Sequence, residues 1–388
     1  MADIWQPRYS LTNGIVNGLT AIEAAKVKVE ASQVPPTALA ELSRQARIRA
    51  THYSTRIEGN RLTLEEAAEA IAGRRRVFHG RERDVAEVRN YWDALSWVEE
   101  QADKRRPITE ELVQRIHAIA MHGKRAKSAP YRTGQNVIRD SATGAIVYMP
   151  PEAGDVPRLM CQMAGLIGHS AEVGIPAIII AGLAHYQFVT IHPYYDGNGR
   201  TARLFATYIM HLGGYGLGGI FSLEEYHSRD IAAYYGALDV GGHHNYYIGR
   251  ADADVTGWLE YFIATLQEVF ESAKREALKY AHLPIIPEPD ELRRLDNRAR
   301  MILALFSRQD QITSTDVAQT LGLSQRMARV HLSKWVTDGW LQIADPSRRA
   351  RKYALSPSVH ASLITPHSSH LTHHLSLITR NTSAPQEK

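Results

Sequence analysis

The chain of 388 residues contains one cysteine, Cys161, which excludes an internal disulfide and suits a reducing compartment. Nothing near Cys161 marks a nucleophile, so it reads as a small core residue. Long apolar runs are missing as well. The longest, Ile175 to Ala184, falls well short of the roughly 20 residues a membrane span needs, and reads as a buried helix. The start, Met1-Ala2-Asp3-Ile4-Trp5-Gln6-Pro7, has no basic region followed by an apolar stretch, so secretion is not expected and the cytoplasm is. Neither sign of charge dominates, with 45 Lys+Arg against 41 Asp+Glu. There is no internal repeat. With 44% hydrophobic and 22% charged residues, the composition is that of an ordinary globular protein, long enough for two or three domains.

What is there is concentrated in His192-Pro193-Tyr194-Tyr195-Asp196-Gly197-Asn198-Gly199-Arg200-Thr201-Ala202-Arg203. An imidazole, with an ordinary pKa of about 6.5, can take a proton from a hydroxyl at neutral pH. Asp196 offers the oxygen ligand that Mg²⁺ prefers when it binds through one or two carboxylates and substrate phosphates. Gly197-Asn198-Gly199 allows positive φ and close backbone approach, so that successive N–H groups can converge on an anion. The residues that follow favour a helix, whose positive N-terminus would lie at that nest. Arg200 and Arg203, three apart, can both reach a polyphosphate. Singly, each feature fits a plain turn or a solvated loop residue; the ordered combination reads as a triphosphate site with a base beside it. A zinc site on His192 and Asp196 would need a third ligand, and none stands at a suitable spacing.

This segment resembles the signature of the Fic family, His-Pro-Phe-x-Asp/Glu-Gly-Asn-Gly-Arg-x-x-Arg, with Tyr194 for the usual phenylalanine. The resemblance implies a mainly α fold, a helical core with a β-hairpin flap, and transfer of AMP from ATP to a Ser, Thr or Tyr hydroxyl of a protein target. It implies that His192 is the base, that Asp196 holds Mg²⁺, that Gly197 to Gly199 cradle the α- and β-phosphates, and that Arg203 grips the γ-phosphate. ATP contacts are expected across Asp196, Gly197, Asn198, Gly199, Arg200, Thr201, Ala202 and Arg203. No Walker A lysine is present, in keeping with a different solution to phosphate binding.

A second stretch, Ser54-Thr55-Arg56-Ile57-Glu58-Gly59-Asn60, ends a helix predicted to begin after Pro35-Pro36 with Thr37 as its cap. Leu39, Leu42, Ala46, Ala50, Tyr53 and Ile57 supply its apolar stripe. Ser54 and Glu58 then share a face, and Thr63 to Glu66 opens the next helix as a capping box. By itself Glu58 is an exposed carboxylate near a helix end. The stretch is similar to the inhibitory motif of Fic proteins whose autoinhibitory helix precedes the core. That likeness implies that Glu58 competes with the γ-phosphate for Arg203, or alternatively positions water to remove AMP again.

Tyr131 to Ile138 and Ala145 to Pro151 flank a turn-rich Arg139 to Gly144, which predicts a hairpin. Its place before the signature matches the Fic flap, whose edge pairs with an extended target segment. Tyr234 and Tyr235 are core residues by default; in the family such a pair lies near the adenine, followed by an asparagine. Here that position is Gly242, which leaves UMP or GMP transfer open beside AMP.

Three prolines in 282–290 mark a linker. Beyond it, helices over 297–306, 315–324 and 324–335 and strand-like pieces over 339–343 and 352–355 resemble a winged helix-turn-helix. Arg326 and Arg329 would lie on its recognition helix, and Arg348 and Arg349 on its wing. Residues 290–355 hold 12 Lys+Arg against 7 Asp+Glu. Such a module serves DNA contact, protein docking or homodimerisation. The expected organisation is an N-terminal helical region over 1–100, a catalytic core over 101–281, the linker, the winged helix over 291–356 and a disordered, histidine-containing tail over 357–388. A reading of another class makes the chain a DNA-binding regulator whose core senses nucleotide.

Overall fold

The computed structural model describes residues 4–73, 79–139, 143–170, 172, 174–242, 244–281, 295–307, 310–347 and 351–359. The expected linker 282–290, the expected wing residues Arg348 and Arg349, and the residues beyond Val359 lie outside them. The chain divides into two compact units, one formed by Met1–Ser32, Leu42–Ala70 and Val77–Lys279, the other by Gln33–Glu41, Ile71–Arg76 and Tyr280–Lys388. Both are built mainly of helices, as the sequence predicts.

Helix α1 (Asn13–Ala31) is capped by Thr12, and the part of α2 (Pro36–Ile57) that belongs to the first unit, from Leu42 on, carries the Ser54 segment. Helix α2 starts one residue before the expected cap Thr37, because proline is tolerated in a first helical turn, where its missing N–H would be unpaired anyway. The predicted capping box is present: Thr63 N–H donates to Glu66 and Glu66 N–H to Thr63 Oγ1, opening α3 (Leu64–Ile71). Next come α4 (Glu82–Asp103) and α5 (Glu110–His122). Helix α4 runs across the expected boundary between residues 100 and 101.

Strands β1 (Ile138–Arg139) and β2 (Ile146–Tyr148) pair antiparallel as the predicted hairpin, shorter than its flanks suggested. Helix α6 (Val156–His169) buries Val156, Leu159, Met160, Met163, Leu166 and Ile167. Cys161 lies on its opposite, exposed face, so the expected core role is wrong.

Helix α7 (Ala177–Ile191) is apolar all round and buried on nearly every side, which is the pattern of a central helix. It packs against α8 (Asn198–Leu212), and α8 in turn packs on α4 and α5. Two short helices, α9 (Leu223–Arg229) and α10 (Ile231–Leu238), precede the long α11 (Thr256–Ala281). Close approach of α11 depends on Gly182, where a Cβ would stand 2.9 Å from Phe262. There Trp258 Nε1 donates to the Gly182 carbonyl at 2.8 Å. This framework fixes the C-terminus of α7 and the N-terminus of α8 at one spot. Among the described residues, no helix is long and apolar enough to cross a membrane.

The second unit contains α12 (Asn297–Leu303), β3 (Ile312–Thr313), α13 (Ser314–Leu321), α14 (Gln325–Thr337), β4 (Leu341–Asp345) and β5 (Lys352–Leu355). Its sheet runs β3-β5-β4, all antiparallel. The helices and the β4 and β5 strands fall where the sequence places helices and strand-like pieces. Ile302, Val317, Leu332, Trp335, Trp340 and Tyr353 form its core. Val359, inside the stretch expected to be a disordered tail, is buried in the same core.

Candidate active site

Helix α7 ends on His192, whose φ of 52° lies in the left-handed region. That turn throws the chain across to Gly197, also left-handed at φ 78°, which caps α8. Between them the loop is closed by Asn198. Its Oδ1 accepts from Tyr194 N–H at 3.0 Å and its Nδ2 donates to the Tyr194 carbonyl at 2.8 Å. The cap has no side chain, and the first N–H bonded along α8 is that of Thr201, to the Gly197 carbonyl. The opening N–H groups of α8 are therefore left for an anion.

His192 is partly buried. Its Nδ1 lies 3.2 Å from the Val189 carbonyl, which assigns the ring proton to Nδ1 and leaves the Nε2 lone pair able to accept a proton. Burial, with Arg132 adding to it, pushes this imidazole down to about 4. The ring is thus neutral and able to accept a proton throughout the physiological range.

Asp196 is more than half exposed. Its Oδ1 accepts from Gly197 N–H at 2.6 Å and from Arg200 Nη2 at 3.2 Å. Arg200 itself is buried and also lies 3.9 Å from Glu87, so it braces the carboxylate. Among the described residues, no three His, Cys, Asp or Glu side chains gather to hold a metal. A cation here would be held by one carboxylate and by phosphates, an arrangement that fits Mg²⁺. Thr201 and Ala202 present no side chain to a ligand. The Thr201 hydroxyl donates to the Gly197 carbonyl at 2.8 Å, and Ala202 is fully buried.

Arg203 meets the end of α2. Its Nε donates to Ser54 Oγ at 2.8 Å, and Nη2 donates to the Ser54 carbonyl at 3.0 Å and to Glu58 Oε1 at 2.8 Å. Burial alone would lower the guanidinium, but Glu58, then Tyr234 and Tyr91, raise it. A Cβ on Gly199 would stand 2.5 Å from Glu58 Oε1 and 3.1 Å from Arg203 Nη1. The Glu58 carboxylate therefore lies directly over the first turn of α8, on the α8 arginine.

Residues 107–210 match the Fic/DOC family model. They form a Fic domain. A 198-residue stretch is 24% identical to the protein adenylyltransferase Fic of Drosophila willistoni, covering 51% of this chain and 38% of that protein. The Drosophila virilis protein of the same name matches equally, over 39% of its length. The chain thus spans well under half of the curated relatives it matches. A Fic family protein from Desulfovibrio desulfuricans is similar in structure, with 26% identity, a TM-score of 0.57 and coverage of 91% of this chain and 99% of that one. Fic-1 (residues 134–508) of C. elegans shares the fold at 21% identity and a TM-score of 0.53, over 68% of this chain and 72% of that one.

The hairpin is tied to the loop after α7 by Arg132, a buried side chain that sequence reasoning passed over. Its Nε donates to the His192 carbonyl at 2.9 Å and its Nη1 to the Gly134 carbonyl at 3.0 Å, and its Nη2 reaches the Pro151 carbonyl. One guanidinium so joins both limbs of the hairpin to the backbone of His192. His117 of α5 was also missed; its Nε2 lies 3.0 Å from the Asp196 carbonyl. Of the tyrosine pair, Tyr234 is a core residue whose hydroxyl lies 2.9 Å from His185 Nε2. Tyr235 is about half exposed, and Glu58 is among the charges acting on its hydroxyl. Asn245, beyond Gly242, caps a turn through Tyr247 N–H at 2.9 Å. Arg326 and Arg329 are exposed on α14 of the second unit.

Proposed function

We propose that this chain transfers AMP from ATP to a Ser, Thr or Tyr hydroxyl of a target protein, itself included, and that Glu58 restrains the transfer. The observation that carries this reading is the seat of the Glu58 carboxylate, over the first turn of α8 and on Arg203. A helix N-terminus and a buried guanidinium together form an anion site, and Glu58 is the anion now in it.

In the proposed reaction the target oxygen attacks the α-phosphorus in line with the α–β bridging oxygen. Its proton passes to Nε2 of His192, a P–O bond forms, the bridging P–O bond breaks and pyrophosphate leaves. N–H groups at the start of α8 take up charge on the phosphates. Asp196 would hold Mg²⁺, which supplies neutralisation of phosphate charge. With Glu58 gone, Arg203 would be available to the γ-phosphate. Among the described residues β1 pairs only with β2, so its outer edge is available to align an extended target segment.

The test is Glu58→Gly, incubated with each of the four α-labelled nucleoside triphosphates and a cell lysate. Labelling from ATP that is lost in Glu58→Gly, His192→Ala supports the reading. Labelling chiefly from UTP or GTP would reassign the base, as Gly242 allows, and no labelling from any of the four would defeat it. Release of AMP from labelled protein by the wild type, but not by Glu58→Gly, would give Glu58 the reverse role as well.

The second unit supports a role of another class, since Arg326 and Arg329 stand exposed on one helix of a basic module. Phosphate contacts by that face would weaken steeply with salt. In gel shifts, Arg326→Ala with Arg329→Ala should abolish DNA binding while labelling persists. Absence of binding at low salt by the intact chain removes the DNA role.

A further inference from the structure

The geometry points to His117 as a positioning residue for the phosphate and metal end of the loop, and this inference rests on the nucleotidyl-transfer reading above. His117 lies on α5, 79 residues before Asp196 in the chain, and is almost wholly buried. Its ring stacks on Tyr194 with centroids 3.5 Å apart and planes within 7°. Its Nε2 meets the carbonyl of Asp196 at 3.0 Å, and since that carbonyl can only accept, Nε2 carries the proton and donates.

The same helix floors the glycine loop: a Cβ on Gly197 would stand 2.3 Å from Met121 Sδ and 3.4 Å from His117 Nε2. Asn198 closes the loop from within, but both of its side-chain bonds go to Tyr194. The peptide between Asp196 and Gly197 is the link on which the carboxylate and the first N–H groups of α8 both depend. His117 holds its carbonyl, and the stacked ring of Tyr194 fixes the direction from which it does so. No proton of the reaction passes through this imidazole. Its contribution is to keep the Asp196 carboxylate and the α8 N-terminus in one register, so that a metal-bound triphosphate meets both at once.

The two contacts can be separated. His117→Phe keeps a ring to stack on Tyr194 and removes the donor; His117→Gln supplies an N–H near the position of Nε2 and removes the ring. Both are made in the Glu58→Gly background, and ATP affinity is measured by calorimetry at several Mg²⁺ concentrations, beside the labelling rate. One hydrogen bond of this kind corresponds to about a fivefold change in an equilibrium constant. His117→Phe should therefore weaken ATP binding about fivefold and raise the Mg²⁺ needed for half-saturation, with the pH profile of labelling unmoved and His117→Gln recovering part of the affinity. Unchanged ATP and Mg²⁺ requirements in His117→Phe overturn the proposal. So does an equal loss of active fraction in both variants with unaltered affinity, which is the mark of a purely structural residue. If Glu58→Gly itself neither binds nor transfers ATP, the nucleotidyl-transfer reading falls first, and this inference with it.

Discussion

At the scale of single residues, the proposed chemistry turns on which protons are where. His192 gives its Nδ1 proton to Val189 and keeps Nε2 bare, and burial holds the ring neutral down to about 4. A base with that value stays competent as the pH falls through the ordinary histidine range. The labelling rate of Glu58→Gly should accordingly stay near its plateau between pH 8 and pH 5.5. An acid limb centred on 6.5 would contradict the environment derived for this ring. Removing the base in the same background, His192→Ala, should lower the rate by about 10²- to 10⁴-fold, while ATP binding measured by calorimetry changes little. Gly199 is a sharper probe of shape. With a methyl group there the Glu58 carboxylate has to move, and the same methyl intrudes on the α8 N-terminus, so Gly199→Ala should not reproduce the gain expected of Glu58→Gly.

At the scale of elements, long-range backbone clamps decide the geometry. Arg132 satisfies carbonyls at the end of α7 and on both limbs of the hairpin. Leaving buried acceptors unpaired costs about 1–3 kcal/mol, so Arg132→Ala should lower the unfolding free energy, measured by denaturant titration, by about that amount and depress labelling as well. A stability equal to wild type would show that the clamp is dispensable. These clamps also explain what was legible in the sequence. The stretch from His192 to Arg203 was readable because its chemistry is local: a helix end, a turn and a helix start in twelve residues. Glu58 lies 145 residues from Arg203 and was readable only through family resemblance. His117 and Arg132 act on main-chain carbonyls, for which no side-chain pattern exists, and so left no signal. Cys161 could have been read correctly. The 3.6-residue phase of Val156, Leu159, Met160, Met163, Leu166 and Ile167 puts position 161 on the outer face of α6, and residue type was allowed to outweigh it.

At the scale of the whole molecule, imidazoles held down by burial tie stability to pH. Burial pushes His117 and His192 down to about 4, His185 to about 3, and His227 well below its ordinary value. Between about 4 and 6.5 the unfolded chain binds protons that the folded chain refuses, so stability rises with pH across that window and is complete above 6.5. The thermal midpoint of the unlabelled protein should fall steadily from pH 7 to pH 5, and His185→Gln or His227→Gln, where folded, should flatten the slope. A midpoint flat over that range would contradict the burial of these rings as neutral groups. The central claim is that one carboxylate, Glu58, occupies the place a triphosphate needs on Arg203 and the α8 N-terminus. Its most direct measurement is the initial rate of protein labelling from α-labelled ATP by wild type and Glu58→Gly side by side, with matched folding by circular dichroism. The account predicts a rise of tenfold or more in Glu58→Gly, consistent with about 1.4 kcal/mol or more of competition removed; a rate equal to or below that of wild type would contradict it.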